Sequence, residues 1–250
     1  MRKIILYLAL KYEGDFNKIL KAIEEHEPVS KEELKNVEKR INSKYVTIID
    51  VEYPTCLKHI ANPPFVLFYY GNINLLNGNN KVAVIGKRKF SSYGEQMCKK
   101  IVNELKAYNA TIVSGLALGI DAIAHQISLN NKMNTVAVLG SGIDYCYPPS
   151  NIDIYNQIKE KGLIISEYPN KQIPEPKNFL IRNRIIAAVS EYIVVIESNF
   201  KSGTMNTVSY GLEYNKEICC VPFLANQESG CNHLIKQGAK LVEGAKDIYD

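Results

Sequence analysis

The spacing of hydrophobic residues changes near residue 80, and this change predicts two differently built parts. From Lys81 onward, short β-branched runs alternate with longer amphipathic segments, the pattern of parallel strands joined by crossover helices. The predicted strands are Val82–Ile85, Thr111–Val113, Thr135–Leu139, Leu163–Ile165, Ile193–Ile196 and Glu217–Val221. The predicted helices are Gly94–Lys106, Asp121–Leu129, Asn151–Lys161, Arg182–Ser190, Met205–Tyr214 and Asn232–Lys236. The alternation predicts an α/β fold with a doubly wound, mostly parallel sheet.

Residues 1–78 follow a different pattern. Between Asp15 and Lys39, charged residues alternate with apolar residues spaced for one face of a helix. Two short runs downstream, Tyr45–Ile49 and Phe65–Tyr70, have the composition of strands. We expect residues 1–78 to form a small helical segment plus strands leading into the core. Residues 79–250 are expected to form one large α/β domain with an extended Rossmann-like fold.

Composition narrows the class of protein only slightly. The chain is 46% hydrophobic and 22% charged, so it can bury a core. Its net charge of +4 is compatible with a nucleic-acid partner but does not by itself indicate one. Its six cysteines contain no C-x-x-C pair, which favours reduced thiols in a cytosol. Neither a signal peptide nor a membrane-spanning run is recognisable, so we expect a cytoplasmic protein.

Glycine or small polar residues follow several predicted strands, and each loop leads into a helix. Ligands of open α/β sheets bind beyond the carboxyl ends of the strands, where glycine permits close approach and helix N-termini offer N–H groups to phosphate. The loops contain Gly86, Lys87, Arg88, Ser91, Tyr93 and Gly94; Ser114, Gly115 and Gly119; Gly140, Ser141 and Gly142; and Lys201, Ser202, Gly203 and Thr204. One anion needs one loop, whereas a row of loops suits a polyanion.

Arginine is concentrated near the same strand ends. Of only five arginines, Arg88, Arg182 and Arg184 fall there, which indicates a use for the planar guanidinium group. Asn178, Phe179, Arg182 and Asn183 are therefore added to the residues predicted to bind the polyanion. A buried ion pair of Arg182 or Arg184 with Glu167 or Glu197 is the alternative, and each arginine could take one role. We assign Arg184 and Glu197, together with Asp121 and His125, to structural roles.

Several other ligands are disfavoured. Gly140-Ser141-Gly142 resembles the start of a dinucleotide-binding fingerprint, but Tyr145 stands where that fingerprint has its third small residue. The chain also has no P-loop motif. Cys231 and His233 lack the further ligands that zinc requires. We expect neither a cofactor nor a metal.

Longer motifs across the chain resemble those of the DNA-processing protein A family, also called DprA or Smf. They are Gly86-x-Arg88; Ser114-Gly115-x-Ala117-x-Gly119-Ile120-Asp121; Tyr147-Pro148; Ser166-Glu167-Tyr168-Pro169; Phe179-x-x-Arg182-Asn183-Arg184; Ser202-Gly203-Thr204; and Gly230-Cys231-Asn232. The resemblance implies a homodimer that binds single-stranded DNA. It also implies that the protein is not an enzyme and that it loads the RecA recombinase onto this DNA during natural transformation, in competent cells.

The chain also departs from the family pattern. Pro149 stands where some members carry a DNA-contacting lysine, and Phe223 stands where glycine is common. The sequence ends at Asp250, and we expect no C-terminal winged helix of the kind that many family members carry. The alternative function is a nucleoside-monophosphate phosphoribohydrolase of the lysine-decarboxylase-like type, but Lys201-Ser202-Gly203-Thr204 lacks the double glycine of those enzymes, and Glu213 is the only later acid on that helix.

Overall fold

The computed structural model describes residues 1–250, the whole chain, and contains one nine-stranded sheet. The strands are β1 (Lys44–Thr47), β2 (Val66–Gly71), β3 (Lys81–Ile85), β4 (Thr111–Ser114), β5 (Thr135–Leu139), β6 (Leu163–Ser166), β7 (Tyr192–Val195), β8 (Glu217–Cys220) and β9 (Lys240–Leu241). The helices are α1 (Arg2–Lys11), α2 (Phe16–Glu24), α3 (Lys31–Asn36), α4 (Thr55–Lys58), α5 (Ser92–Leu105), α6 (Ile120–Asn130), α7 (Ile152–Lys161), α8 (Pro176–Val189), α9 (Gly203–Glu213), α10 (Gly230–Lys236) and α11 (Lys246–Tyr249).

The strand order is β1-β2-β6-β5-β4-β3-β7-β8-β9. From β6 to β9 all neighbours are parallel, whereas β2 is antiparallel to both β6 and β1. The chain steps from β3 to β6 in one direction and then returns to place β7 on the other side of β3. This reversal makes the carboxyl ends of β3 and β7 the topological switch point, where a crevice opens. The predicted doubly wound α/β fold is confirmed.

Helices cover both faces of the sheet. On one face, α4, α8, α9 and α10 pack against side chains such as Ala83 and Ile85 of β3. On the other face, α5 and α6 pack against Val82 and Val84. Because β3 is buried on both sides, its sequence is a continuous apolar run rather than an alternating one.

The N-terminal residues are joined to this sheet. The apolar run Ile5–Leu10 forms the body of α1, which packs against α2, α3, β1 and β2. The predicted strands of this part are β1 and β2, and Phe68 of β2 pairs with Ser166 of β6. The strands before residue 79 and those after it therefore belong to one sheet.

Every predicted strand and helix after residue 80 is present, but the start predicted for α8 was wrong. The helix begins at Pro176, six residues before Arg182. Proline suits the first turn of a helix, where its missing N–H is not needed. The turns after it bury the polar residues Asn178, Arg182 and Asn183, so the apolar spacing that marks a helix is absent there. None of the helices is both long and apolar enough to cross a bilayer.

Candidate nucleic-acid interface

A cleft of about 590 Å³ opens at the switch point between β3 and β7. Four strand-end loops line it, those after β3, β4 and β7 and, through Tyr147, the loop after β5, together with residues of α8. Its lining includes four cations, Lys87, Arg88, Lys89 and Arg182, against a single carboxylate, Asp121. The cleft is thus suited to an anion.

The loop after β3 presents unoccupied donors to this cleft. The backbone N–H groups of Gly86, Arg88 and Lys89 donate no hydrogen bond within the chain. The Arg88 and Lys89 side chains are exposed and form no ion pair within 4.0 Å. A side chain at Gly86 would place its Cβ 2.7 Å from Ile120 Cγ1, so glycine is required where this loop packs on α6. The loop offers a phosphate both N–H groups and a guanidinium.

Lys87 has a partner inside the protein. Its Nζ lies 3.0 Å from Glu197 Oε1, and Glu197 Oε2 accepts hydrogen bonds from the Ser91 backbone N (3.0 Å) and Oγ (2.8 Å). Gly94 packs directly on the same carboxylate. Burial raises the pKa of Glu197, but the Ser91 hydrogen bonds and Lys87 lower it by more, so the net pKa is below the ordinary value. Lys87, Ser91 and Gly94 shape the loop around Glu197, and the charge of Lys87 is largely neutralised.

Arg182 forms the floor of the cleft and is only 4% exposed. Its Nη1 donates to the carbonyls of Gly115 (2.9 Å) and Val138, and its Nε donates to Asn183 Oδ1 (3.1 Å). Burial lowers the pKa of Arg182 to about 10, so the group stays charged at neutral pH. Nη2 donates no hydrogen bond within the chain. Arg182 therefore places a fixed positive charge beneath the cleft.

The loop after β4 supports this floor rather than offering its N–H groups. The Gly115 N–H donates to Asp121 Oδ2 (3.0 Å), and Ser114 Oγ donates to the Val84 carbonyl (2.7 Å). Burial raises the pKa of Asp121 above its ordinary value. The charge of Arg182 and the Gly115 N–H act in the other direction but do not cancel the effect of burial. The expected phosphate contact of Ser114 and Gly115 is therefore not available in this arrangement, because both donors are already used.

Gly119 has a steric role in the same loop. Its backbone has φ +83°, in the region that favours glycine, and an added Cβ would collide with the carbonyls of Lys87 and Arg88. The next residue, Ile120, donates its N–H to the Lys87 carbonyl (3.2 Å). Gly119 thus sets how closely the loops after β3 and β4 approach each other.

The glycine-rich start of the loop after β5, Gly140–Gly142, is covered. A Cβ at Gly140 would lie 2.7 Å from Phe179 Cδ1, Ser141 Oγ donates to the Tyr145 carbonyl (2.8 Å), and the Gly142 N–H donates to the Gln172 carbonyl (2.9 Å). Gly140, Ser141 and Gly142 are all buried and do not line the cleft. Segments distant in sequence close over these three residues, which the sequence had placed at a phosphate.

Aromatic rings form one wall. Phe179 is half-buried, and the guanidinium carbons of Arg88 and Arg182 lie 6.0 and 5.9 Å from its ring centroid. The ring of Tyr147 lies 5.4 Å from that of Phe179, tilted by 40°. Tyr147 was not among the site residues predicted from the sequence. It could have been recognised as an aromatic residue that follows the glycine-rich loop Gly140–Gly142.

The loop after β7 faces the cleft with the N-terminus of α9. Ser202 caps the helix by accepting from the Met205 N–H (3.4 Å), while the N–H groups of Gly203 and Thr204 have no acceptor in the chain. Asn183 Nδ2 donates to the Gly203 carbonyl (3.1 Å) and so ties α8 to this terminus. Unpaired N–H groups and the helix dipole make such a terminus favourable for an anion.

Three other predicted residues lie outside the cleft. Lys201 is exposed in an adjoining depression beside Phe200 and forms no ion pair. The Tyr93 hydroxyl donates to the Pro222 carbonyl (3.1 Å). Asn178 is buried on another side of α8, facing the α1–α2 loop, and its Nδ2 has no partner. Lys201 alone of the three remains open to an extended ligand.

His125 and Arg184 are part of the interior. Thr135 Oγ1 donates its proton to the Ile112 carbonyl (3.0 Å), so His125 Nδ1, 2.7 Å away, must donate to Thr135. Burial lowers the pKa of His125 to about 3, which keeps the ring neutral. Arg184 forms a two-pronged ion pair with Glu167, and both side chains are 4% exposed. Of the alternatives open from sequence, Arg184 with Glu167 is the buried pair.

Comparison with known proteins gives consistent matches over most of the chain. The family model described as DNA recombination-mediator protein A matches residues 44–250. Protein Smf of Synechocystis sp. is 40% identical over 206 residues, which cover 80% of this chain and 52% of that protein. The chain therefore spans about half the length of this relative.

Two solved structures share the fold. DNA processing protein A of Streptococcus pneumoniae has a TM-score of 0.82 at 33% identity, covering 93% of this chain and 81% of that chain. The corresponding protein of Helicobacter pylori, described for its single-stranded DNA binding mode, has a TM-score of 0.75 at 31% identity and covers 82% of this chain and 94% of that chain. By the extent of the family match and the agreement of these structures, the chain belongs to the DNA recombination-mediator protein A family, also known as DprA or Smf.

Proposed function

We propose that this protein binds single-stranded DNA in the cleft between β3 and β7 and acts as a non-enzymatic recombination mediator. The observation that carries the proposal is the pair of opposed, unoccupied donor sets in the cleft. One set is the Gly86–Lys89 loop with the Arg88 guanidinium, and the other is the N-terminus of α9 at Gly203 and Thr204.

A strand of phosphates fits this arrangement better than a single phosphate does. The buried charge of Arg182 lies beneath the cleft. Lys89 continues the positive charge at the cleft, and Lys201 lies with Glu228 in the adjoining depression. Neither lysine forms an ion pair. Several separate anion positions of this kind suit a polyanion better than a single phosphate. The relative from Helicobacter pylori is described for binding single-stranded DNA.

The chemistry of the cleft supports binding rather than catalysis. Asp121 is the sole carboxylate among the lining residues, and it is held by the Gly115 N–H and the charge of Arg182. Glu213, on which the phosphoribohydrolase alternative depends, lies at the opposite end of α9 from the cleft. A general acid or base needs to reach the ligand, and neither group is placed to do so.

Replacement of Arg88 by alanine tests the binding site directly. Removing one phosphate contact lowers the affinity for single-stranded DNA and reduces the slope of log K against log salt by about one. Filter binding over a salt series measures both quantities. Lys106→Ala is the matched control, because Lys106 is an exposed cation without an ion pair. It lies before the amino end of β4, whereas the cleft lies at the carboxyl ends of the strands. An Arg88 variant with unchanged affinity and slope would contradict the assignment.

We also propose that the protein works as a homodimer in the cytoplasm and loads a RecA-type recombinase onto single strands during natural transformation. Support comes from the family, whose description is that of a recombination mediator. The test is filament formation by the recombinase on DNA coated with single-strand binding protein, with and without this protein. Equal filament formation in both reactions would contradict loading and leave DNA binding intact, and sedimentation would measure the dimer.

A further inference from the structure

Tyr147 is the outermost aromatic side chain in the cleft. It is 39% exposed, it lines the cleft, and its hydroxyl makes no hydrogen bond within the chain. Its ring contacts Phe179 at a centroid distance of 5.4 Å. Phe179 in turn is enclosed by Gly140 and by the guanidinium groups of Arg88 and Arg182. Tyr147 therefore has aromatic surface open to solvent that Phe179 largely lacks.

The loop that carries Tyr147 is fixed to its surroundings. The Asn151 N–H donates to the Pro148 carbonyl (3.1 Å), and Asn151 Nδ2 donates to the carbonyls of Leu116 (3.0 Å) and Ala117 (3.2 Å). These bonds join the loop after β5 to the loop after β4 and so fix the backbone that carries Tyr147. A ring held in this way loses little conformational freedom when a ligand packs on it.

We propose that Tyr147 stacks against an unpaired base of the strand whose phosphates occupy the cleft. The inference rests on the proposed function and adds to it the element that distinguishes single-stranded from double-stranded DNA. Phosphate contacts alone do not make this distinction, since both forms carry them. The bases of a duplex are already stacked on each other, whereas a single strand can offer the face of a base to an aromatic ring.

The absence of tryptophan from the chain gives a direct reporter. Tyr147→Trp places a single tryptophan at the proposed contact, and stacking on a base quenches its fluorescence. Tyr108→Trp is the matched control, because Tyr108 is 37% exposed and stacks on Tyr249 at 4.5 Å, but lies beside the amino ends of β3 and β4. Titration with oligothymidylate should quench the tryptophan at position 147 and leave the one at position 108 unchanged.

Substitutions separate stacking from charge. Tyr147→Ala should weaken binding of oligothymidylate roughly tenfold, within the range of base–aromatic stacking, with no change in the salt slope. Tyr147→Phe should retain wild-type affinity because the ring face makes the contact. An abasic oligonucleotide of equal length, which keeps the phosphates, should bind wild type and Tyr147→Ala equally, and duplex DNA should also bind both equally.

The outcomes distinguish the two proposals. If Tyr147→Trp binds oligothymidylate by filter retention without a change in fluorescence, stacking is overturned and the proposed function stands. Equal loss of single-stranded, abasic and duplex binding in Tyr147→Ala also overturns stacking, because it indicates a role in packing only. If the wild-type protein retains no oligonucleotide, the proposed function itself falls.

Discussion

The buried ion pair between Arg184 and Glu167 should contribute strongly to stability and not to DNA binding. Nη1 and Nη2 of Arg184 lie 2.7 and 2.6 Å from the two carboxylate oxygens. Nε donates to the Asn62 carbonyl (2.9 Å) and Nη1 also donates to the Ile181 carbonyl (3.0 Å). One side chain thus links the segment before β2, the segment after β6 and helix α8.

The expected cost of breaking the pair follows from its burial. Arg184→Met leaves the Glu167 carboxylate without its cation in a site that is 4% exposed. Removing one partner of a buried pair costs about 3–5 kcal/mol. At roughly 2–4 °C per kcal/mol for a chain of this size, the midpoint of thermal unfolding should fall by about 6–20 °C.

A double-mutant cycle measures the coupling. Arg184→Met, Glu167→Leu and the double variant are unfolded in urea, followed by circular dichroism, and the three free energies of unfolding are compared with wild type. The double variant should be more stable than either single variant, because it leaves no unpaired buried charge. Neither residue lines the cleft, so the folded fraction of each variant should bind oligothymidylate with wild-type affinity.

Two results would refute this reasoning. A loss below about 1 kcal/mol in Arg184→Met would mean that the carboxylate finds other compensation on losing its partner. Losses that simply add in the double variant would mean that the two side chains do not interact energetically.

Two further predictions follow from the walls of the cleft. Gly140→Ala should displace the Phe179 ring, because the new Cβ would lie 2.7 Å from Phe179 Cδ1. The affinity for single-stranded DNA should then fall roughly tenfold. Gly78→Ala is the control, since the atom nearest to its new Cβ is 3.8 Å away, and equal affinity of the two variants would contradict the prediction. The pKa of Glu197 is lowered on folding, so its contribution to stability is present above the ordinary glutamate pKa of about 4.3 and is lost as the pH falls through the folded value. Urea unfolding from neutral to acid pH should therefore show a steeper loss for wild type than for Glu197→Gln, and parallel curves would count against it.

Strands β3 to β8 were predictable because nearly all of their residues are buried and each reads as a short apolar run. Thr135–Leu139 is an example, found with the bounds that were predicted. Helix α8 was harder, because Asn178, Arg182 and Asn183 are polar residues buried by tertiary contacts that spacing along the chain does not reveal. The loops at Gly86–Lys89 and Ser202–Thr204 were recognisable from glycine beside a helix start, and the structure brings them together at one cleft.

The remaining loops could not be separated from these by local pattern. Gly142 looks as available as Gly86 in sequence, yet its N–H is used by Gln172, which is distant along the chain. Lys87 and Arg88 are adjacent cations, but only Lys87 reaches Glu197. Which donors remain unoccupied depends on partners supplied by the fold, and a single sequence contains no signal for these pairings.

The antiparallel pairing of β2 with β6 has a consequence for synthesis of the chain. Gly71 of β2 pairs with Leu163, which is added roughly 90 residues later. At about 5–20 residues per second, the finished β2 waits about 5–20 s for its β6 partner. Completion of this sheet edge is thus a late event for the nascent chain, although it involves the residues that leave the ribosome first.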